Sequence, residues 1–179
     1  MPMDWLWTFL TMLGTGATAV IIYWQANLLR AQNQVDALVQ LNLAWDSRET
    51  CRLRTAWASD PEDFGAVEAV LEFLEEFAAL AGRNVFDEDL IWDSTLGWYA
   101  ARYYFYNHEN GMIDRLRADW LDDKLYENLG KLWEHYENRE DKGVSEGKSC
   151  FIEKLRRTRE KFLNDEKARY ARRFPESSD

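Results

Sequence analysis

The chain has 179 residues, a formal net charge of −10 and a mean hydropathy of −0.53. Three prolines and nine glycines are few for this length, which argues against a turn-rich β fold and favours long helices. The two cysteines, Cys51 and Cys150, are too few for a disulfide framework and lack the spacing of a metal site.

The first predicted element is an uncharged apolar segment of twenty residues, from Trp5 to Trp24. A bilayer core of about 30 Å needs roughly 20 apolar residues in helical geometry, and aromatic residues at both ends suit the membrane interfaces. The acidic start and the small residues in mid-segment do not fit a cleaved signal peptide. We therefore predict a transmembrane helix over residues 5–24, after a short tail of residues 1–4.

The orientation of this helix follows from the few basic residues near it. Arg30 is the one basic side chain close to its C-terminal end, and no Lys or Arg precedes it. Because positive charge prefers the cytoplasmic side, we expect a single-pass protein of the cell membrane with its N-terminus outside and its body in the cytoplasm. The lipid bilayer is then its first partner.

The helical pattern continues beyond the apolar segment into a predicted stalk, residues 25–45. Apolar residues recur at alternating steps of three and four, the spacing of a coiled-coil seam, so one uninterrupted helix is expected. The candidate oligomer seam consists of Gly14, Ala17, Ile21, Leu28, Val35 and Leu38. A threonine stripe in the membrane segment competes with it as a contact face. Alternatively, the stalk packs on the protein's own body, or the anchor is monomeric.

A helical bundle domain is predicted over residues 46–140, followed by a linker at 141–148 and a basic C-terminal helix and tail at 149–179. Within the bundle, cap and turn residues predict helices over 47–58, from about 61 to 82, from Asp87 to about 110, over 112–121 and over 122–139. No stretch alternates as a strand does. The predicted class is all-α.

The helix that follows Asp87 is the most aromatic part of the chain. Its rings cover so much of its circumference that it is typical of a central core helix. The alternative is a ligand groove, for which the candidate residues are Tyr99, Arg102 and Tyr103, with Arg102 as the polar group.

The basic C-terminal helix differs in charge from the rest of the chain. Residues 25–147 carry 12 basic and 25 acidic side chains, a net charge of −13, whereas residues 148–174 carry 10 and 4, a net charge of +6. The helix could pack on the acidic body, lie on anionic lipid or contact nucleic acid. Nucleic acid is disfavoured because the body would repel phosphate. The candidate basic surface consists of Arg156, Arg157, Arg159, Lys161, Arg169, Arg172 and Arg173.

Motifs for catalysis, metals and cofactors do not emerge from the sequence. The acidic residues Glu68, Glu72, Glu75 and Glu76 share a helical face, but the Glu-x-x-His pairs of a di-metal site do not occur. The two histidines have no zinc spacing, and there is no phosphate-binding glycine loop. We expect no enzyme activity and no cofactor.

One long segment resembles a known kind of protein. Residues 70–111 read VLEFLEEFAALAGRNVFDEDLIWDSTLGWYAARYYFYNHENG, preceded by LNLAWDSRE at 41–49. They resemble a family of short uncharacterised bacterial proteins with one N-terminal membrane helix and a helical domain of unknown function. The resemblance covers about half of the chain. It implies the same anchored helical layout and a bacterial or phage origin, but no activity.

Together these features predict a membrane-anchored interaction or scaffold protein that presents an acidic domain at the membrane surface to an unknown protein partner. The alternative is a membrane-perturbing effector whose transmembrane helices self-associate under control of the helical domain. Self-association through the membrane helix and stalk is compatible with both.

Overall fold

The computed structural model describes residues 4–83, 85–143 and 149–175, with the side chains of residues 4–20, 88, 92, 140–143, 149 and 150 left out of the description. Its elements are the helices α1 (Asp4–Trp45), α2 (Arg48–Ser59), α3 (Phe64–Gly82), α4 (Glu88–Asp93), α5 (Thr95–Glu109), α6 (Met112–Trp120), α7 (Glu127–Gly143) and α8 (Ser149–Arg173). No strand occurs in these ranges, so the predicted all-α class is confirmed. The chain divides into two units, one up to Gln40 and one from Leu41 onward.

The first unit consists of α1 up to Gln40, a part of one helix that continues without a break to Trp45. Of the candidate seam, Ile21, Leu28 and Val35 are about half exposed, and Leu38 is partly buried. Gly14 and Ala17 lie outside the residues whose side chains are described. Among the described residues, no helix is both long enough and apolar enough to cross a membrane.

The second unit is a helical bundle, so this part of the predicted layout is confirmed. Helix α2 packs on α3 and α8, α3 also packs on α7, and α5 packs on α7, α6 and α3. Seven apolar residues of α3, among them Val67, Leu71 and Leu74, recur at helical spacing and are buried, which places this face of α3 inside the bundle. Among the described residues, the largest fully buried rings are those of Trp45, Trp57, Tyr103, Tyr106, Tyr126 and Phe77.

The helix starts follow local capping chemistry. Asp87 caps α4 as predicted, since its side chain accepts a hydrogen bond from the backbone N–H of Asp89. Asp63 is the N-cap residue of α3, since its side chain accepts from the N–H groups of Gly65 and Ala66. Helix α3 therefore begins at Phe64 and not near residue 61.

The predicted long aromatic helix is interrupted at Ser94, and this prediction was wrong. The Ser94 hydroxyl donates to the carbonyl of Ile91 at 2.7 Å and accepts from the N–H of Gly97 at 3.0 Å, which ends α4 and starts α5. Gly97 is needed here because a Cβ atom would lie 2.3 Å from the Tyr136 hydroxyl and 2.6 Å from the Ile91 carbonyl oxygen. The break lets Tyr136 of α7 reach that carbonyl.

Helix α7 starts five residues later than predicted, at Glu127. Tyr126 precedes it in a left-handed conformation (φ 62°), which interrupts the helical path after α6. The first turn of α7 is capped from α3: the Glu75 carboxylate accepts from the N–H groups of Asn128 and Leu129 at 3.1 and 2.8 Å. One member of the acidic face on α3 therefore positions another helix.

Candidate functional site

A buried ion pair joins α2 to α8. The Arg54 Nε and Nη2 groups donate to the two carboxylate oxygens of Glu166 at 2.7 and 2.8 Å, and both side chains are 1% exposed. The Tyr103 hydroxyl donates to the same carboxylate at 2.8 Å, and Arg54 Nη1 donates to the Trp45 carbonyl at 3.3 Å. This two-point geometry is the strongest form of an arginine–carboxylate contact.

Aromatic rings enclose the pair. The Arg54 guanidinium carbon lies 4.1 Å from the centre of the Trp45 ring and 4.9 Å from that of Tyr99. Burial, together with the adjacent Glu166 carboxylate, raises the pKa of Tyr103 well above its usual value. Tyr103 therefore remains a hydrogen-bond donor at neutral pH.

Asp46 forms the outer edge of this charged cluster. Its carboxylate lies 2.8 Å from Arg173 Nη1, 3.8 Å from Arg169 Nη1 and 3.7 Å from Arg54 Nη1. Arg169 also reaches inward, with Nε 3.3 Å from Glu166, and donates to the Tyr99 hydroxyl. Basic and acidic groups thus alternate from the interior to the surface.

A cavity of about 670 Å³ lies beside this cluster, between α5 and α8. Its volume is within the range of small-molecule sites in proteins. Residues of these two helices line it: Thr95, Trp98, Tyr99, Arg102, Phe162, Asp165, Glu166, Arg169, Arg172 and Arg173.

Arg102 differs from the other arginines of the cavity because it has no acidic partner among the described residues. Its guanidinium carbon lies 4.3 Å from the centre of the Trp98 ring and 5.2 Å from that of Phe162. Its Nε atom is buried and has no hydrogen-bond partner there. Burial lowers the pKa of the Arg102 guanidinium.

The three candidate groove residues occupy two different environments. Tyr99 and Arg102 line the cavity, whereas Tyr103 is fully buried and contributes its hydroxyl to Glu166 instead.

The candidate basic surface is also divided. Arg169, Arg172 and Arg173 line the cavity. Of the others, Arg156 pairs with Glu109, Arg157 with Glu153, Arg159 lies over the Tyr106 ring, and Lys161 is exposed. Helix α8 packs on α2 and buries Phe151, Leu155 and Phe162, so the structure has the body-packed arrangement of the three considered.

The sequence analysis missed the Arg54–Glu166 pair, whose members are 112 residues apart. A signal was present in each helix. Arg54 lies three residues after Cys51 and three before Trp57, on the buried face of α2. Glu166 lies four residues after Phe162 on the buried face of α8. A charged residue inside an apolar stripe indicates a buried ion pair when two helices each carry one of opposite sign.

Comparisons with known proteins do not add to this picture: no family model matches the chain, and no curated protein or solved structure matches it either. The resemblance to short bacterial membrane proteins stays a prediction. Within the described residues, no cluster of His, Cys, Asp and Glu has the arrangement needed to hold a metal ion.

Proposed function

We propose that this protein is a single-pass membrane protein that presents an acidic helical domain at the cytoplasmic surface of the membrane, where the domain binds a protein partner. The observation that carries the proposal is the run of twenty uncharged residues from Trp5 to Trp24. A run of this length, flanked by aromatic residues, matches the needs of a membrane helix.

The charge of the body supports a basic partner. Part of the positive charge of α8 is paired with acidic residues of the body: Arg156 with Glu109 and Arg173 with Asp46. On α3, Glu72 and Glu76 remain exposed, as do Glu62 and Asp63 before it. An exposed acidic face steers and selects partners of opposite charge.

Carbonate and high-salt extraction of membranes tests the anchor. Full-length protein is expected to stay with the membrane fraction under both treatments. Gly14→Arg should weaken insertion by about 2.5–3.5 kcal/mol, because it places a charge in the apolar segment. The matched control, Gln32→Arg, adds the same charge to the exposed stalk and should leave fractionation unchanged. Release of the unaltered protein by salt alone would contradict the anchor.

We further propose that the seam on α1 pairs two copies. Ile21, Leu28 and Val35 are each about half exposed along one helix, and apolar seam positions are stabilised when a second helix covers them. Single cysteines at these positions are expected to form crosslinked dimers in membranes, whereas cysteines at Gln25 and Gln32 should not. Equal crosslinking at all five positions would contradict the seam.

A further inference from the structure

We propose that the cavity between α5 and α8 binds a small organic phosphate, a phosphate monoester carried on an apolar or aromatic group. Arg102 is its principal anion-binding residue, with Arg172 as a second cation, and the rings of Trp98 and Phe162 hold the apolar part. This site would operate in the helical body whether or not the membrane anchor and the protein partner exist as proposed above.

The charge of the site comes from an excess of arginines. In and around the cavity, five arginines (Arg54, Arg102, Arg169, Arg172 and Arg173) face three carboxylates (Asp46, Asp165 and Glu166), an excess of two positive charges. Glu166 is already bound by Arg54 and Tyr103, and Asp46 by Arg173. These two carboxylates therefore leave Arg102 uncompensated.

Arg172 is only weakly compensated. Its Nη2 atom lies 3.8 Å from Asp165, and the two side chains are 68% and 57% exposed. Exposed ion pairs of this kind contribute little to stability. An anion that binds in the cavity can therefore replace Asp165 as the partner of Arg172 at a small cost in free energy.

The strongest indication is the charge of Arg102, which has no acidic partner among the described residues and whose enclosed Nε atom also lacks an acceptor. A buried N–H group without an acceptor costs free energy, and native proteins rarely keep one without a reason. Here the group belongs to a cation that stacks on Trp98 and faces a cavity. An anion in the cavity would supply the missing counter-charge, and the planar guanidinium suits phosphate oxygens.

The composition of the cavity selects the class of anion. A phosphate monoester carries a charge of about −1.5 to −2 at neutral pH, which matches the excess of two, whereas a simple carboxylate carries one. The rings of Trp98, Tyr99 and Phe162 give the cavity an apolar wall. A volume of about 670 Å³ leaves room for more than a free phosphate ion.

Isothermal titration of the full-length protein in detergent tests the site with three probes: adenosine 5′-monophosphate, glycerol 3-phosphate and adenosine. We expect at least one phosphate ester to bind at least tenfold more tightly than adenosine. Arg102→Gln should weaken that binding roughly tenfold or more, the effect of losing one charge-assisted hydrogen bond. The matched control, Arg157→Gln, removes an exposed arginine of α8 that pairs with Glu153, and should change affinity less than twofold.

The two phosphate probes distinguish the source of the ligand. Tighter binding of the adenosine ester indicates a nucleotide-like ligand stacked on the rings, and equal or tighter binding of glycerol 3-phosphate indicates a phosphate of the lipid-headgroup type. Either result, if lost in Arg102→Gln, supports the site. Arg172→Gln, at an exposed position, provides a second variant that keeps the core intact and should weaken binding about threefold. Binding of neither phosphate, equal binding of adenosine, or unchanged affinity in both cavity variants would overturn the proposal.

Discussion

Two neighbouring regions of the bundle treat an arginine in opposite ways. Between α2 and α8, Arg54 is 1% exposed, stacks on Trp45 and is held by both oxygens of Glu166. Between α5 and α8, Arg102 stacks on Trp98 in a similar way but has no carboxylate, and its Nε atom lacks an acceptor among the described groups. Both arginines contact an aromatic ring, but in the described part of the chain only Arg54 has a carboxylate that accepts its hydrogen bonds.

This difference shows what decides whether an arginine stacked on an aromatic ring belongs to the core or to a binding site. Removing a cation from water costs several kcal/mol, and a stacked ring returns only a part of that. Arg54 recovers the rest from Glu166 within the protein. Arg102 remains beside a cavity, where an external anion can provide it.

The largest expected effect tests the paired region. Arg54→Met should lower the free energy of unfolding by about 3–5 kcal/mol, because the buried Glu166 would lose its two-point partner and keep Arg169 as its only cation, at the longer distance of 3.3 Å. Urea denaturation of the full-length protein in detergent, followed by circular dichroism, measures it. Arg157→Met, at an exposed position, is the control and should change stability by less than about 0.5 kcal/mol. A loss below about 1 kcal/mol for Arg54→Met would mean that the pair is solvated.

The double variant Arg54→Met with Glu166→Leu sharpens the same point. It removes both charges and leaves apolar groups in their place, so it should be more stable than Arg54→Met alone. If the two substitutions instead destabilise additively, the cost does not come from an unpaired charge.

A smaller effect is expected at the third member of the paired region. Tyr103→Phe removes the hydroxyl that donates to Glu166 and should cost about 1.5–3 kcal/mol, the range for hydrogen bonds to charged groups. The same denaturation measures it. Tyr170→Phe is the control, because the Tyr170 hydroxyl takes part in an exposed hydrogen bond with Arg48. Equal losses of stability for the two substitutions would show that the buried Tyr103 hydroxyl stabilises the fold no more than an exposed one does.

The pH dependence of stability separates the contribution of the Tyr103 hydroxyl from that of its ring. Since folding raises the pKa of Tyr103 above the usual 10, the folded state keeps a proton that the unfolded state releases at high pH. Its contribution is therefore complete below about pH 10 and is lost as pH rises further, by up to about 1.4 kcal/mol per unit. Stability curves of the native protein and Tyr103→Phe should converge above pH 10. Parallel curves would contradict the raised pKa.

The smallest expected effect is in the unpaired region. Arg102→Met should change the free energy of unfolding by less than about 1 kcal/mol, because no carboxylate is left behind and the methionine keeps an apolar contact with Trp98. A loss as large as that of Arg54→Met would remove the distinction between the two regions.

Local features were predictable from the sequence. The cap at Asp87, the end of α3 at Gly82 and the start of α8 at Ser149 depend on residues within a few positions. The break at Ser94 was missed because a cap inside an apolar run is hidden by the continuing aromatic pattern. The break also requires a glycine at position 97, because the Tyr136 hydroxyl of another helix occupies the space that a Cβ atom would need.

The candidate site was predictable in part. Arg102 stood out as a charged residue within an aromatic helix, and the structure does place it beside a cavity with Tyr99. Tyr103 is adjacent to Arg102 in the chain, yet about 100° further around α5, where it faces Glu166 and not the cavity. Which α5 face meets α8 depends on tertiary packing, and no spacing within α5 reveals it.

The order of Arg54 and Glu166 along the chain has a consequence for biosynthesis. Arg54 leaves the ribosome 112 residues before its counter-ion. At about 5–20 residues per second, this delay lasts roughly 6–22 s. Throughout that interval α2 has an apolar face, with Trp57 on it, that α8 cannot yet cover. The nascent domain therefore exposes this apolar face until its last helix is made, and pulse-labelled chains that end before α8 should be cleaved by protease faster than complete ones.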